Sequence, residues 1–303
     1  MKRKFFTTFF ISLLVFSLAY AGLGHFLKNL NNKEVVGEEG EVDKEFEEKN
    51  EILFLLLGVD AKDINQKGTR TDTMMLVNID FESGKTKILS IPRDTRVDIR
   101  GLKGQRKINA AHANGGPELT VKTVKDLLGI ELDYFVKVDY KAVKEVVDAI
   151  GGVKIDVPKN MYYSDPTADP PLLIDLKKGE QVLDGDESLQ FLRYRKGYKD
   201  ADIGRIRAQQ QFMKAFMEQA LKPKNLLKLP KMVSAYYKYV DTNIPLGNLT
   251  KMAFSANKIN TENMETATVP GKGKRIGKGD YYIYNEDELD IIVNNMFGNY
   301  VFK

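Results

Sequence analysis

The chain has 303 residues, 43% of them hydrophobic, and a formal net charge of +4. That is material for one large domain or two small ones, and too mild a basic balance for a nucleic-acid-binding face. The absence of cysteine excludes disulfides, thiolate zinc sites and thiol nucleophiles, and suits an extracytoplasmic protein without requiring one.

Met1 to Lys4 is a positive cluster, and no charged residue follows between Phe5 and Leu27. This apolar segment is long enough for about one bilayer crossing. With the positive charge on the cytoplasmic side, the remainder faces outward, so residues 1–27 are expected to form a cytoplasmic stub and a single-pass membrane anchor. Ala19-Tyr20-Ala21 also fits a signal-peptide cleavage site, the competing reading. Residues 34–51 hold nine acids and two lysines, so 28–50 is expected to be an acidic extracytoplasmic tether.

The folded part is expected over 51–303 as one domain. Ile52–Val59 is a continuous apolar run and predicts a fully buried strand ending at Asp60. Strands are expected over Thr73–Asp80 and Lys85–Ile91, joined by a tight turn at Glu82–Lys85. Pro92 ends the third strand and leaves Arg93 and Asp94 at its carboxyl end. Helices are expected at Lys107–Ala113 and Pro117–Leu128, a strand at Tyr134–Asp139, an amphipathic helix at Tyr140–Ile150 stopped by two glycines, and a strand at Val153–Val157. Residues 159–178, with three prolines, read as loop. Asp184 is placed as a helix cap, and helices are expected over 203–221, 224–240 and 246–258. Short strands at Glu265–Val269 and Tyr281–Tyr284 and a helix at Glu286–Phe297 close the chain. The alternation gives an α/β fold, with a central, mostly buried sheet packed between helices.

Arginine is scarce and clustered. Of 46 basic residues only 11 are Arg, and nine of these lie between Arg70 and Arg207. The guanidinium fork matches phosphate oxygens bidentately where lysine does not. Asp60, Asp72, Asp94 and Asp202 are interleaved with these arginines. Together they suggest a diphosphate or phosphodiester held with a divalent metal; surface ion pairs are the plainer alternative. Asp60 and Asp72 reach one sheet edge if their strands are neighbours. Arg205 and Gln209 share one helix face at i, i+4. Arg193 and Arg195, two apart, can converge only at a helix end.

Other chemistries fall away. His25 and His112 are the two histidines, too few for a His-rich metal site, and no G-x-S-x-G elbow is present. His112 reads as a packing or capping residue rather than a ligand. GKGKRIGKGD at 271–280 lacks the Walker A spacing and reads as a flexible basic loop rather than a nucleotide site.

The ordered series GVDA, GTRTDTMMLVNID, ILSIPRDTRV, KINAAHANGG, IGGV, LDGDESLQFLRYR, DADIGRIRAQQQF and VPGKG…YY resembles the LytR-CpsA-Psr family over about residues 51–298. The resemblance implies a three-layer αβα fold with an apolar lipid tunnel. It implies a membrane-anchored transferase that moves a glycopolymer, such as teichoic acid or capsule, from a polyprenyl diphosphate carrier to peptidoglycan. By motif, Asp60 and Asp72 would hold Mg²⁺, with Mn²⁺ an alternative. Arg70, Arg93, Arg96, Lys107, Arg193, Arg195, Arg205 and Gln209 would grip the diphosphate, with Asp94 and Asp202 in support. Asp72, Arg93 and Asp60 would carry catalysis. The helices around 203–258 would wall the tunnel, although their apolar residues also read as plain core. One departure stands out. Ala208 occupies the place where the family commonly has a second Arg, and Arg207 sits about 100° round the helix from it. Arg207 is therefore expected to face solvent or polymer. A pyrophosphatase using the same site, and a non-catalytic protein docking anionic wall polymers, are the alternatives. The oligomeric state is left open.

Overall fold

The computed structural model describes residues 50–60, 64–167, 171–198, 200, 202–220, 239–245, 248 and 261–302. The anchor segment, the acidic tether and nearly all of the helices expected over 224–240 and 246–258 lie outside these residues. Among the described residues no helix is long and apolar enough to cross a membrane.

Six strands form the central sheet, in the order β11-β6-β1-β2-β3-β12. They are β1 (Glu51–Val59), β2 (Thr71–Asp80), β3 (Thr86–Ser90), β6 (Tyr134–Asp139), β11 (Val240–Thr242) and β12 (Met264–Thr268). β1, β3, β6 and β12 run in one direction; β2 and β11 run against them. The carboxyl ends of four strands and the amino end of β2 therefore meet at one edge. Ligands of open α/β sheets bind at such an edge.

β1 is apolar from Ile52 to Val59 because both its faces are covered. Leu53, Leu55 and Leu57 enter one core with Met74, Leu76 and the helices α1 (Ala110–Leu128) and α5 (Glu286–Phe297). Ile52 and Phe54 enter a second core with Met75, Val77, Ile79 and Met217 of α4 (Asp202–Ala220). Truncating a fully buried residue such as Leu57 costs roughly 2–5 kcal/mol. A third core joins α2 (Tyr140–Ile150), α3 (Gly185–Arg193) and α4 to the small strands β7 (Val153–Val157), β8 (Met161–Asp165), β9 (Leu172–Leu176) and β10 (Gly179–Leu183). Helices on both sheet faces make the expected α/β layers.

The helix boundaries follow local chemistry. α1 breaks at Gly115–Gly116, where Gly116 has φ 67°, so it carries both helices expected from the sequence. Asp139 caps α2 by accepting from Lys141 N. Asp184 and Glu187 cap α3 reciprocally.

Three expectations are corrected. Residues 159–178 are not loop, because β8 and β9 pair antiparallel there. The prolines Pro166 and Pro171 lie at the connection, where no ladder N–H is needed. Lys107 does not begin a helix but pairs with Arg96, as β5 (Arg106–Lys107) meets β4 (Arg96–Val97). The segment 271–280 is not a loop either. It forms most of a hairpin of β13 (Gly271–Ile276) and β14 (Gly279–Tyr284).

Candidate active site

The site lies at the carboxyl edge of the sheet, and a bulge builds its centre. Gly58 of β1 pairs with Thr73, but Val59 pairs with Thr71, which leaves Asp72 unopposed. A bulge of this kind re-aims a side chain and interrupts the ladder. Gly58 permits it: a Cβ there would stand 2.9 Å from Thr73 Cβ and 3.4 Å from the Tyr140 ring. The glycine of GVDA thus lets the strand before Asp60 press against the residues beneath Asp72.

Arg93 follows the turn at Pro92, where Thr95 N donates to Pro92 O over 2.9 Å. Its Nη1 donates to Asp72 Oδ1, and its Nε lies 3.7 Å from Asp202 Oδ1. Burial alone pulls this guanidinium down. Asp72, Asp202 and Asp94 together more than offset that, and hold Arg93 above its ordinary value. Asp202, at the start of α4, also lies 2.8 Å from Arg205 Nη2. Arg205 is 5% exposed, and its Nη2 donates to the backbone oxygen of Asp72 at 3.1 Å. One turn on, Gln209 Nε2 donates to Thr73 Oγ1 at 2.9 Å. The shared face of Arg205 and Gln209 is thus turned against the bulge.

A cavity of about 590 Å³ opens at this edge, lined by Arg70, Asp72, Arg93, Asp94, Lys107, Asn109, Arg195, Lys196, Asp202 and Asp280. Seven of the ten are residues singled out from the sequence. Lys107 Nζ sits 2.8 Å from Asp94 Oδ1. Asp60 and Arg193 stand off the lining as an ion pair with 3.0 Å between Nη2 and Oδ2. Arg195 lies beyond the end of α3 and lines the cavity, while Arg193, the last helical residue, pairs with Asp60, so the convergence expected at the helix end is not seen. Arg96 departs from expectation. It does not line the cavity, and its guanidinium lies 5.7 Å from the centre of the Tyr281 ring. Arg207 turns away, donating to Asp200 over 2.6 and 3.0 Å, while Ala208 is buried.

The arrangement suits an anion with a metal-binding group. The Nε donors of Arg93 and Arg205 are buried without a hydrogen-bond partner. Leaving such groups unmatched costs about 1–3 kcal/mol each, which an arriving phosphate can relieve. Asp72 lines the cavity, while Asp60 stays outside its lining in the ion pair with Arg193. Among the described residues no three His, Cys, Asp or Glu gather as a metal cage. Two carboxylates fit Mg²⁺ that shares its shell with phosphate oxygens rather than a metal held by protein alone.

The sequence reading missed Asn109, Lys196 and Asp280. Asn109 and Asp280 lay inside quoted motifs, KINA and the basic stretch, yet neither residue type signals a ligand alone. It also missed Tyr140. This side chain is 8% exposed and its hydroxyl is tied to Thr73. Burial, reinforced by the Asp72 charge, pushes the phenol well above its ordinary range, so it stays protonated.

The sequence profile of the LytR_cpsA_psr family matches residues 24–298. The chain belongs to the LytR_cpsA_psr family. Polyisoprenyl-teichoic acid--peptidoglycan teichoic acid transferase TagV of Bacillus subtilis is 32% identical over 80% of this chain and 62% of its own length. Regulatory protein MsrR of Staphylococcus aureus is 36% identical over 73% of this chain and 65% of its own. The chain thus spans somewhat less than two thirds of these two relatives. Among solved structures, TagT bound to LI-WTA superposes with a TM-score of 0.65 at 28% identity, covering 87% of this chain and 96% of that one. The matched range, residues 24–298, includes the central sheet and the residues that line the cavity.

Proposed function

We propose that this LytR_cpsA_psr protein transfers a glycopolymer from a polyprenyl diphosphate carrier to peptidoglycan. The observation that carries this reading is the cavity itself. Arg70, Arg93, Lys107, Arg195 and Lys196 face the carboxylates of Asp72, Asp94, Asp202 and Asp280 in one recess at the sheet edge. The recess fits a charged diphosphate with a divalent cation, and the name of the TagV relative supplies the reaction class.

Such a reaction is positioning plus charge neutralisation. Arg93 and Arg205 present buried N–H groups to the phosphate oxygens, and Arg70, Arg195 and Lys107 complete the grip. Asp60 and Asp72 are the residues that would hold Mg²⁺, which would supply charge neutralisation at the diphosphate. A peptidoglycan hydroxyl attacks the phosphorus that bears the polymer, and polyprenyl phosphate leaves. Asp72 takes the hydroxyl proton as general base. Residues 5–27 anchor the chain as a single span, with the catalytic domain outside the cytoplasm.

The test is a transfer assay with the full-length chain in detergent, a polyprenyl-diphosphate-linked saccharide, peptidoglycan fragments and Mg²⁺. Joined product with wild type, formed about a hundredfold more slowly with Asp72→Asn, is expected. Released polyprenyl phosphate without joined product would replace the transferase with a hydrolase.

A further inference from the structure

The hairpin β13–β14 is the part of the cavity's surroundings that the diphosphate reading leaves unused. It follows β12, whose carboxyl end points at the site edge, and it is fastened there. Tyr282 N donates to Asp94 O at 2.8 Å, Tyr282 bridges to Thr95, and the Tyr282 hydroxyl donates to Val269 O at 2.8 Å. Asp280 lines the cavity. The hairpin is therefore a fixed rim of the site.

Its charge is out of proportion to its size. Lys272, Lys274, Arg275 and Lys278 stand against the single acid Asp280, in a chain whose whole net charge is +4. All four cations are exposed. Arg275 lies 4.0 Å from Asp280, and Lys272, Lys274 and Lys278 have no acidic partner among the described residues. Unpaired exposed lysines occur elsewhere among the described residues, as at Lys67, Lys103 and Lys122, but singly; here three stand on one hairpin.

The register gives the charge a direction. Lys272 pairs across with Ile283, and Lys274 with Tyr281. Directly paired residues share a face, so Lys272, Lys274 and Tyr281 point the same way. The Tyr281 ring lies 5.7 Å from the Arg96 guanidinium and 5.8 Å from Lys107 Nζ. Lys107 is a wall of the cavity. A file of cations thus leads out of the recess from Lys107 and Arg96, across Tyr281, to Lys274 and Lys272, the last two about 7 Å apart along the strand. This also explains why Arg96 is turned from the cavity: it is the first step of the path outward.

We propose that this face of the hairpin holds the phosphate-bearing polymer segment that extends beyond the diphosphate. The inference rests on the transferase reading and specifies its donor as a polyanion. A solvated charged face, the plain alternative, would not be aligned with the cavity or fixed to Asp94. An anionic membrane surface is the other partner such charge attracts. The hairpin carries no exposed large apolar side chain to enter a bilayer, which favours the polymer.

The experiment uses the full-length chain in detergent and titrates lipid-free poly(glycerol phosphate) oligomers at several salt concentrations. The comparison is Lys272→Gln/Lys274→Gln/Lys278→Gln, with a thermal melt as fold control and neutral oligosaccharide as ligand control. Wild type is expected to bind the oligomer with salt-sensitive affinity. The triple variant is expected to lose at least about tenfold and to show a shallower salt slope. In turnover, KM for a polyphosphate donor should rise relative to KM for a short uncharged donor. Unchanged affinity and slope in the triple variant would overturn the proposal. So would equal wild-type binding of neutral oligosaccharide. Loss confined to phosphatidylglycerol vesicles would overturn it in favour of membrane docking. Oligomer binding lost in the triple variant, in a chain that transfers no donor, would leave the hairpin site standing and remove the transferase reading instead.

Discussion

Arg93 and Arg100 are seven residues apart in sequence, and each pairs with an aspartate, yet the pairs differ in kind. Arg100 makes the better-formed bridge, with Nε and Nη2 donating to Asp126 over 2.7 and 2.6 Å. Its side chain is 63% exposed, so water competes for both partners. Arg93 is 20% exposed, shares three acids and leaves its Nε unmatched. Good geometry therefore does not mark the site here. Burial with incomplete satisfaction does, because those groups gain most when a phosphate arrives.

The sharpest way to break this contrast is to remove Arg93. Arg93→Ala should lower transfer about 10³-fold, measured as kcat/KM, since it deletes a phosphate donor and leaves Asp72 and Asp202 facing each other with less compensation. A loss of tenfold or less would place Arg93 in the scaffold. Asp72→Asn keeps the shape of the bulge and removes the charge. It should cost about 10²-fold in kcat while the diphosphate donor still binds. Loss of donor binding with kcat preserved would move Asp72 from proton transfer to the grip alone.

How much of this was legible in advance follows from the same physics. β1 announced itself because both faces are covered and no polar position interrupts the run. Arg205 and Gln209 were placed on one face because helical periodicity is rigid. Arg207 was separated from them by the same rule, and the structure turns it to Asp200. The Asp72 bulge was not legible, because nothing in TRTDT says that one residue drops out of register. Arg96 was misplaced for a related reason. Its partner Tyr281 is remote in sequence, and only the chain's return through β12 brings the two together. The hairpin at 271–280 was hidden by its glycines, which read as flexibility although the strands they interrupt still pair.

His112 sharpens the contrast from the side of stability. It is 5% exposed, and its Nδ1 lies 2.8 Å from Thr69 O, beside Arg70. Burial, aided by the Lys137 charge, holds the imidazole below its ordinary value of 6.5. The unfolded chain therefore takes up this proton first as pH falls. The stability due to neutral His112 is whole above about pH 6.5 and is lost as pH falls through the lower folded value. Melts of wild type and His112→Gln should converge as pH drops from 7.5 toward 5. Parallel melting curves over that range would show that His112 does not titrate against folding.

The smallest expected effects lie at the exposed pairs, and they test the contrast most directly because a null result is required. Arg100→Ala removes two short hydrogen bonds, and Arg207→Ala removes two more. Neither side chain lines the cavity. Arg207 adjoins Ala208 on the helix that carries Arg205, so its distance in sequence from the site is minimal. Its guanidinium is nonetheless 59% exposed and neutralised by Asp200. Each variant should keep kcat/KM within about twofold of wild type, since exposed pairs contribute little and no phosphate donor is lost. A collapse in Arg207→Ala alone would mean that Arg207 leaves Asp200 during turnover and swings toward the substrate. Ala208 would then be a compensated loss rather than an absent contact, and burial would no longer separate working arginines from decorative ones on α4.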